Sequence, residues 1–245
     1  RFMSPDEPIR SIVMTSSVPN EGKSATSVEL ARAIATSGAT VVLVEADMRR
    51  RSLANMLNVR GRAGAYAVLT EQVTLDQAVS STGTPNLYFL DVEPNIPNPA
   101  DIVSSRRYAK LVDMLEREYD YVVFDTPPVG TFIDAAILST LVDGTIIVVK
   151  PGSTKRDELL GAYEQLQKAD AHVIGVCATF CEGTGSEYYY AYYTEDGKRV
   201  KPDKGSKRAY ELSEPKYPPA TQPSGRRSSR SAAKHDAPRR DHASA

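Results

Sequence analysis

Residues 11–24 read SIVMTSSVPNEGKS, a short apolar run that passes directly into a loop ending in Gly-Lys-Ser. The continuation ATSVELARAIATSG, residues 25–38, places Val28, Ala31, Ile34 and Ala35 at helical spacing, with Gly38 as a stop. The order is therefore strand, loop, helix. A Gly-Lys-Ser inside an ordinary helix is common and means little, but at this junction each residue type has a physical use. Gly22 lets the backbone turn so that successive amides face a β-phosphate. Lys23 neutralises β and γ oxygens, Ser24 offers a hydroxyl to Mg²⁺, and the helix N-terminus adds its dipole. The predicted phosphate cradle is Ser17, Asn20, Glu21, Gly22, Lys23, Ser24 and Ala25, with Ser17 standing where the first glycine of such a loop usually sits.

The same alternation continues outward. VVLVEAD at 41–47 reads as a second buried strand ending in a carboxylate, followed by short amphipathic pieces at Ala65 to Leu69 and Leu75 to Val79. LYFLDV at 87–92, YVVFDTPP at 121–128, GTIIVVK at 144–150 and HVIGVCATF at 172–180 read as further strands. Asp101, after the proline-punctuated PNIPNPAD, is the expected cap of a helix running to about Glu118. Other helices are expected near 133–141 and 157–169. Uninterrupted Val and Ile runs alternating with amphipathic helices predict an α/β fold, a doubly wound, mostly parallel sheet covered on both faces.

At 245 residues and 41% hydrophobic, the chain can bury the core of one ordinary domain with an appendage. No run approaches the roughly 18 apolar residues of a membrane span, and no leader pattern opens it, so the chain reads as soluble. Cys177 and Cys181 form no disulfide framework and lack partners for a zinc site, so both are expected reduced. The near-neutral net charge hides an asymmetry. Residues 1–195 hold 17 Lys and Arg against 25 Asp and Glu, whereas residues 196–245 hold 13 against 6. Rich in Pro, Ser and Arg and poor in aliphatics, the second segment cannot bury enough surface to offset chain entropy. The expected organisation is a nucleotide-binding domain over 1–195 and a basic disordered tail over 196–245.

Asp47 and Asp125 both end apolar strands of one parallel sheet, and ligands collect at the carboxyl ends of such strands. An isolated strand-end Asp is usually a turn former. Beside a phosphate loop, a pair of them suits Mg²⁺, which takes one or two carboxylates plus phosphate oxygens. Asp47 could also orient or deprotonate an incoming hydroxyl. Arg49 is expected within reach of phosphate, with a solvated Arg of the run RRR as the plain alternative.

SSVPNEGKSAT, VVLVEADMRR and YDYVVFDTPP resemble the three nucleotide motifs of the bacterial tyrosine kinases that regulate capsular and exopolysaccharide synthesis, a family of deviant phosphate-loop ATPases. PNPAD and DAAILSTLVDG are also similar to family segments, and the likeness covers roughly residues 8–195. It implies a tyrosine kinase using ATP and Mg²⁺, with Lys23, Asp47 and Asp125 catalytic and Ser24, Asp47 and Asp125 on the metal. Near the end of the matching region lies EYYYAYYTE, residues 187–195. An aromatic strand is the plain reading of so many tyrosines. The resemblance implies instead that Tyr188, Tyr189, Tyr190, Tyr192 and Tyr193 are phosphoacceptors presented to a neighbouring copy. It further implies a membrane-spanning chain-length regulator, separate or fused upstream, a cognate tyrosine phosphatase, and a location at the inner face of the cell membrane.

The departures are specific. Asn20 stands where a glycine is usual, Arg51 where a proline is, and Thr179 where the superfamily tends to have an asparagine facing the base. The chain opens at RFMSPDEPIR, after the place of the family's N-terminal helix, whose Glu and Arg residues join subunits into rings. The competing reading is a nucleotide-switch ATPase of the chromosome-partitioning type. Those carry a lysine near the start of the loop, where Val18 stands here, and lack a tyrosine cluster. A third reading, a basic tail engaging anionic lipid or nucleic acid, is weaker because the tail also carries prolines and acids; no nucleic acid is expected as a partner.

Overall fold

The computed structural model describes residues 8–181. The central strands are apolar runs of the sequence that find cover on both sides. The strands are β1 (Ser11–Ser16), β2 (Val41–Glu45), β3 (Ser80–Ser81), β4 (Leu87–Leu90), β5 (Tyr121–Asp125), β6 (Gly144–Val149) and β7 (Val173–Ala178). They form one sheet in the order β3-β4-β2-β5-β1-β6-β7, parallel throughout except for β3, which runs antiparallel to β4 at the edge. The expected doubly wound, mostly parallel α/β architecture is the one observed.

Successive residues of a strand feed opposite layers. In β5, Val122 and Phe124 join one buried cluster and Val123 another; in β1, Val13 joins the first cluster, while Ile12 and Met14 join the second. Helix α1 (Lys23–Thr36) lays Val28, Ala31 and Ala35 on the second cluster, as its spacing predicts. The other face is covered by α6 (Arg106–Glu118), which buries Tyr108, Leu111, Val112 and Leu115. Full burial of each such aliphatic side chain stabilises the fold by about 1.5–3 kcal/mol relative to exposure.

Several expectations need correction. The helix expected from Asp101 to Glu118 is two helices. Asn98 and Pro99 start α5 (Pro99–Val103), Asp101 lies in its first turn, and α6 restarts after Ser105, whose hydroxyl accepts from the Tyr108 amide at 3.2 Å. Ser105 wins as cap because its backbone is extended there (φ −74°, ψ 149°), while Asp101 is already helical. LYFLDV pairs only over Leu87–Leu90, because Asp91 and Glu93 turn away to bind Arg51 and the N-terminal amides of α3 (Ala65–Leu69). Helix α2 (Leu53–Leu57) and strand β3 were not expected. The remaining helices are α4 (Leu75–Ala78), α7 (Asp134–Leu138) and α8 (Arg156–Lys168). Cys177 is half-buried and Cys181 exposed, and both are free thiols.

Among the described residues no helix is long and apolar enough to cross a membrane. The tyrosine cluster, the basic tail and residues 1–7 lie outside the described residues. From β5 the chain crosses β1 to reach β6, so the carboxyl ends of β1, β2 and β5 border the crevice where ligands of such sheets bind.

Candidate active site

The loop after β1 is shaped by two residues in the left-handed region. Gly22 has φ 85° and ψ 11° at the start of α1, and Asn20 has φ 67°. A glycine is usual at the position of Asn20, and asparagine adopts this conformation at less cost than most side-chain-bearing residues. The departure from glycine therefore leaves the loop's course intact. Beside it opens a cleft of about 220 Å³, lined by Asn20 to Ala25, Asp47, Arg50 and Met56 among others.

Asp125, the last residue of β5, lies in register with Met14 of β1 and Glu45 of β2 and is fully buried. Its Oδ1 accepts from Lys23 Nζ at 2.7 Å and from the Ser27 hydroxyl at 2.8 Å. Its Oδ2 is buried without any partner. Lys23 Nζ also lies 3.2 Å from Ser24 Oγ. Asp47 follows β2 and lines the cleft; its Oδ1 accepts from the amides of Arg49 and Arg50, so it does form a turn, as the plain reading of a strand-end Asp has it. Burial raises the Asp47 carboxyl above its usual range, opposed by those amides and by Lys23.

Glu45 was not foreseen. It is fully buried at the end of β2, with Oε2 accepting from the amides of Ser52 and Leu53 and Oε1 unpartnered. Desolvation, reinforced by the Asp125 charge, pushes its carboxyl from 4.5 up to about 8. A carboxylate inside the run VVLVE, two residues before Asp47, was the signal available in the sequence. Between pH 4.5 and 8 the folded state keeps a proton that the unfolded chain releases, so this group lowers stability as pH rises through that window. Glu45→Gln is therefore expected to melt with the wild type at pH 5 and several degrees above it at pH 9, at about 2–4 °C per kcal/mol for a chain of this size. Thermal melts in EDTA without nucleotide measure this; a difference that does not change with pH would refute it.

The structure separates some of the expected cradle. Glu21 lines the cleft, but its carboxylate is turned inward, accepting from the Val18 amide at 2.9 Å and from the Thr154 hydroxyl. It braces the loop and leaves phosphate contact to the backbone. Ser17 is buried with its hydroxyl unpartnered and does not line the cleft. A Cβ on Gly130 would lie 2.3 Å from the Ser17 carbonyl oxygen, so only glycine fits where the loop after β5 crosses the phosphate loop. Arg49 is also outside the cleft lining: its Nη2 donates to both carboxylate oxygens of Asp134 at 3.0 and 3.2 Å, and the guanidinium stacks 4.3 Å from the Phe132 ring centroid. Arg50, its neighbour, is the arginine in the cleft. Arg51, where a proline is usual, holds Asp91 through two guanidinium nitrogens.

The donor set can fit a divalent cation. Asp125 Oδ2 is orphaned, and the Ser24 hydroxyl and Asp47 share the cleft wall. Among the described residues no group of three or more His, Cys, Asp and Glu could cage a metal unaided, so an ion here would need oxygens from its ligand.

A family profile described as "AAA domain" matches residues 10–170. The tyrosine-protein kinase YwqD of Bacillus subtilis (strain 168) is 32% identical over 195 residues, which is 80% of this chain and 82% of that protein. The crystal structure of the chimerical protein CapA2B2 superposes with a TM-score of 0.68 at 33% identity, covering 71% of this chain and 77% of that one. The kinase domain of the Escherichia coli tyrosine kinase ETK gives a TM-score of 0.68 at 25% identity, over 75% and 72%. With a profile spanning six of the seven strands and kinase relatives matched along most of their length, the chain belongs to the bacterial tyrosine-protein kinase family of phosphate-loop ATPases.

Proposed function

We propose that residues 1–195 form an ATP-dependent kinase domain that phosphorylates Tyr188, Tyr189, Tyr190, Tyr192 and Tyr193 of a second copy, with residues 196–245 as a basic disordered tail. The observation that carries this reading is Lys23, which lines the cleft, held on Asp125, whose Oδ2 is buried without a partner. The loop amides of Asn20 to Ala25 bind the β- and γ-phosphates, and Lys23 spans them. Arg50 lines the cleft and donates to the Asn20 side chain at 3.3 Å, while Arg49 acts at one remove, fixing the Asp47 turn to the start of α7 through Asp134. In transfer, the bond from the γ-phosphorus to the β–γ bridging oxygen breaks, a bond to the tyrosine oxygen forms, ADP leaves, and Asp47 takes the phenol proton. Ser24, Asp47 and Asp125 would hold Mg²⁺, which when bound neutralises charge on the phosphate oxygens.

Transfer between molecules is the reading that the resemblance implies for these acceptors, which lie outside the described residues. Each phosphate adds about −1.5 to −2 charge, so several within residues 188–193 repel one another and the acidic domain. Phosphorylation then releases the segment and loosens assembly, which is the proposed control over exopolysaccharide or capsule polymerisation and export. The proposed partners are a membrane chain-length regulator, other copies of the chain and a tyrosine phosphatase. The proposed location is the inner face of the cell membrane, reached through that regulator or an upstream transmembrane region.

A Lys23→Met chain with intact tyrosines, mixed with an active chain carrying phenylalanine at all five positions, is expected to acquire label from γ-labelled ATP with Mg²⁺. If the inactive partner stays unlabelled while wild type labels itself, transfer in trans is wrong. If neither is labelled, the nucleotide-switch reading replaces the kinase one.

A further inference from the structure

Two segments supply most of the cleft lining. One is the loop after β1, Pro19 to Ala25, braced from outside where the Thr179 hydroxyl, past the end of β7, donates to the Glu21 carbonyl at 2.6 Å. Its amides are the ones assigned above to the phosphates. The other segment follows β2 and contributes Asp47, Arg50, Ser52 and Met56, a wall that is polar except for its last member. Of the large apolar side chains exposed among the described residues, Met56 alone lines the cleft, and it is 43% exposed.

This exposure is built into the fold. Helix α2 is held at its start by Glu45 Oε2, which accepts from the Ser52 and Leu53 amides at 2.8 and 2.9 Å, and along its length by the burial of Leu53 and Leu57. Asn58, in the left-handed region, closes it by returning its amide to the Asn55 carbonyl. Met56 lies three positions after Leu53 and so stands at the edge of the buried stripe. A thioether fixed in this way, open to water in a cleft that also holds a carboxylate, fits a partner with a flat apolar face and a polar tip. We propose that Met56 is the platform on which the ring of the acceptor tyrosine lies while its hydroxyl reaches Asp47, an inference that rests on the transfer at Asp47 proposed above. Tyrosine has that shape: its ring buries against the methylenes and the sulfur, with a sulfur–aromatic contact added, and the phenol oxygen stays free at the tip. Serine and threonine bring no ring and carry their hydroxyls close to the backbone. The platform therefore favours tyrosine as acceptor.

Label transfer from γ-labelled ATP with Mg²⁺ tests this, using as kinase the active chain with phenylalanine at all five acceptor positions and as acceptor increasing amounts of the Lys23→Met chain. The kinase is compared with Met56 intact, with Met56→Ala and with Met56→Leu. Alanine suits a helix, so Met56→Ala folds; it is expected to raise the acceptor concentration at half-maximal rate about tenfold and to lower the rate at saturation by less than about threefold. Met56→Leu keeps an apolar face of similar volume and is expected to stay within about threefold of the parent on both measures. Calorimetry is expected to give the same ADP affinity for all three kinases. An unchanged acceptor dependence in Met56→Ala overturns the platform and leaves the kinase reading standing. An equal loss of ADP affinity also overturns it, by placing Met56 on the nucleotide, and so does a fall confined to the maximal rate, which would make Met56 a support for the Asp47 turn. If the parent kinase labels no acceptor at all, transfer in trans fails and the platform falls with it. Far-UV circular dichroism of each variant checks that the fold is retained.

Discussion

Lys23→Met is expected to reduce ATP-dependent tyrosine phosphorylation by about a thousandfold or more, the scale on which losing a positioned charge at a transferring phosphoryl group is felt. The sequence alone places this lysine on an open loop, where its removal leaves the fold untouched. The structure adds a cost. Lys23 is only 8% exposed and is the cation bonded to Asp125, which is fully buried. Methionine strips that carboxylate of its counter-charge, and breaking a buried pair from one side costs on the order of 3–5 kcal/mol. The variant should therefore fold, melt below wild type, and regain most of the lost stability when Asp125→Asn is added, while activity stays absent. Phosphorylation assays with thermal melts on the single and double variants measure both effects. Wild-type activity in Lys23→Met would dismiss the loop as the phosphate site; a double variant no more stable than the single would show that the pair is not what couples them.

Asp125→Asn alone is expected to lower activity by about a hundredfold and to raise the Mg²⁺ concentration needed for half-maximal rate. An amide in place of the carboxylate still accepts from Ser27 but offers no anionic oxygen where Oδ2 now stands without a partner. Initial rates across a magnesium titration at saturating ATP provide the measurement. An unchanged titration would leave Asp125 as a strand-end anchor for Lys23 and nothing more.

The strands that position this site were legible because each is buried on both faces and so written as an unbroken apolar run: IVM in β1, VVLV in β2, VVF in β5. What escaped reading is either too short to carry a period or is decided by distant contacts. The two residues of β3 and the five of α2 display no periodicity of their own. Asp101 and Ser105 are both plausible caps by composition, and the chain's path alone selects Ser105. The placement of Lys23 on the loop and of Asp47 and Asp125 at strand ends was readable from local pattern. The partners that set their environment act across the chain: Thr154 on Glu21 over 133 positions, Asp134 on Arg49 over 85. No local pattern encodes such pairs. Arg49 was accordingly expected on phosphate when its guanidinium is taken by Asp134.

The bond from the Thr179 hydroxyl to the Glu21 carbonyl ties the end of β7 to the phosphate loop and so links two remote events. Residue 21 belongs to the loop that bears the nucleotide, and residue 179 is the last but two of the described chain. Any partner that grips the chain beyond residue 181 and displaces Thr179 changes nucleotide affinity by some factor, and linkage requires that nucleotide change the partner's affinity by that same factor. Filling the cleft and holding the chain's end are thus two handles on one equilibrium, and a measurement made at either reports on both.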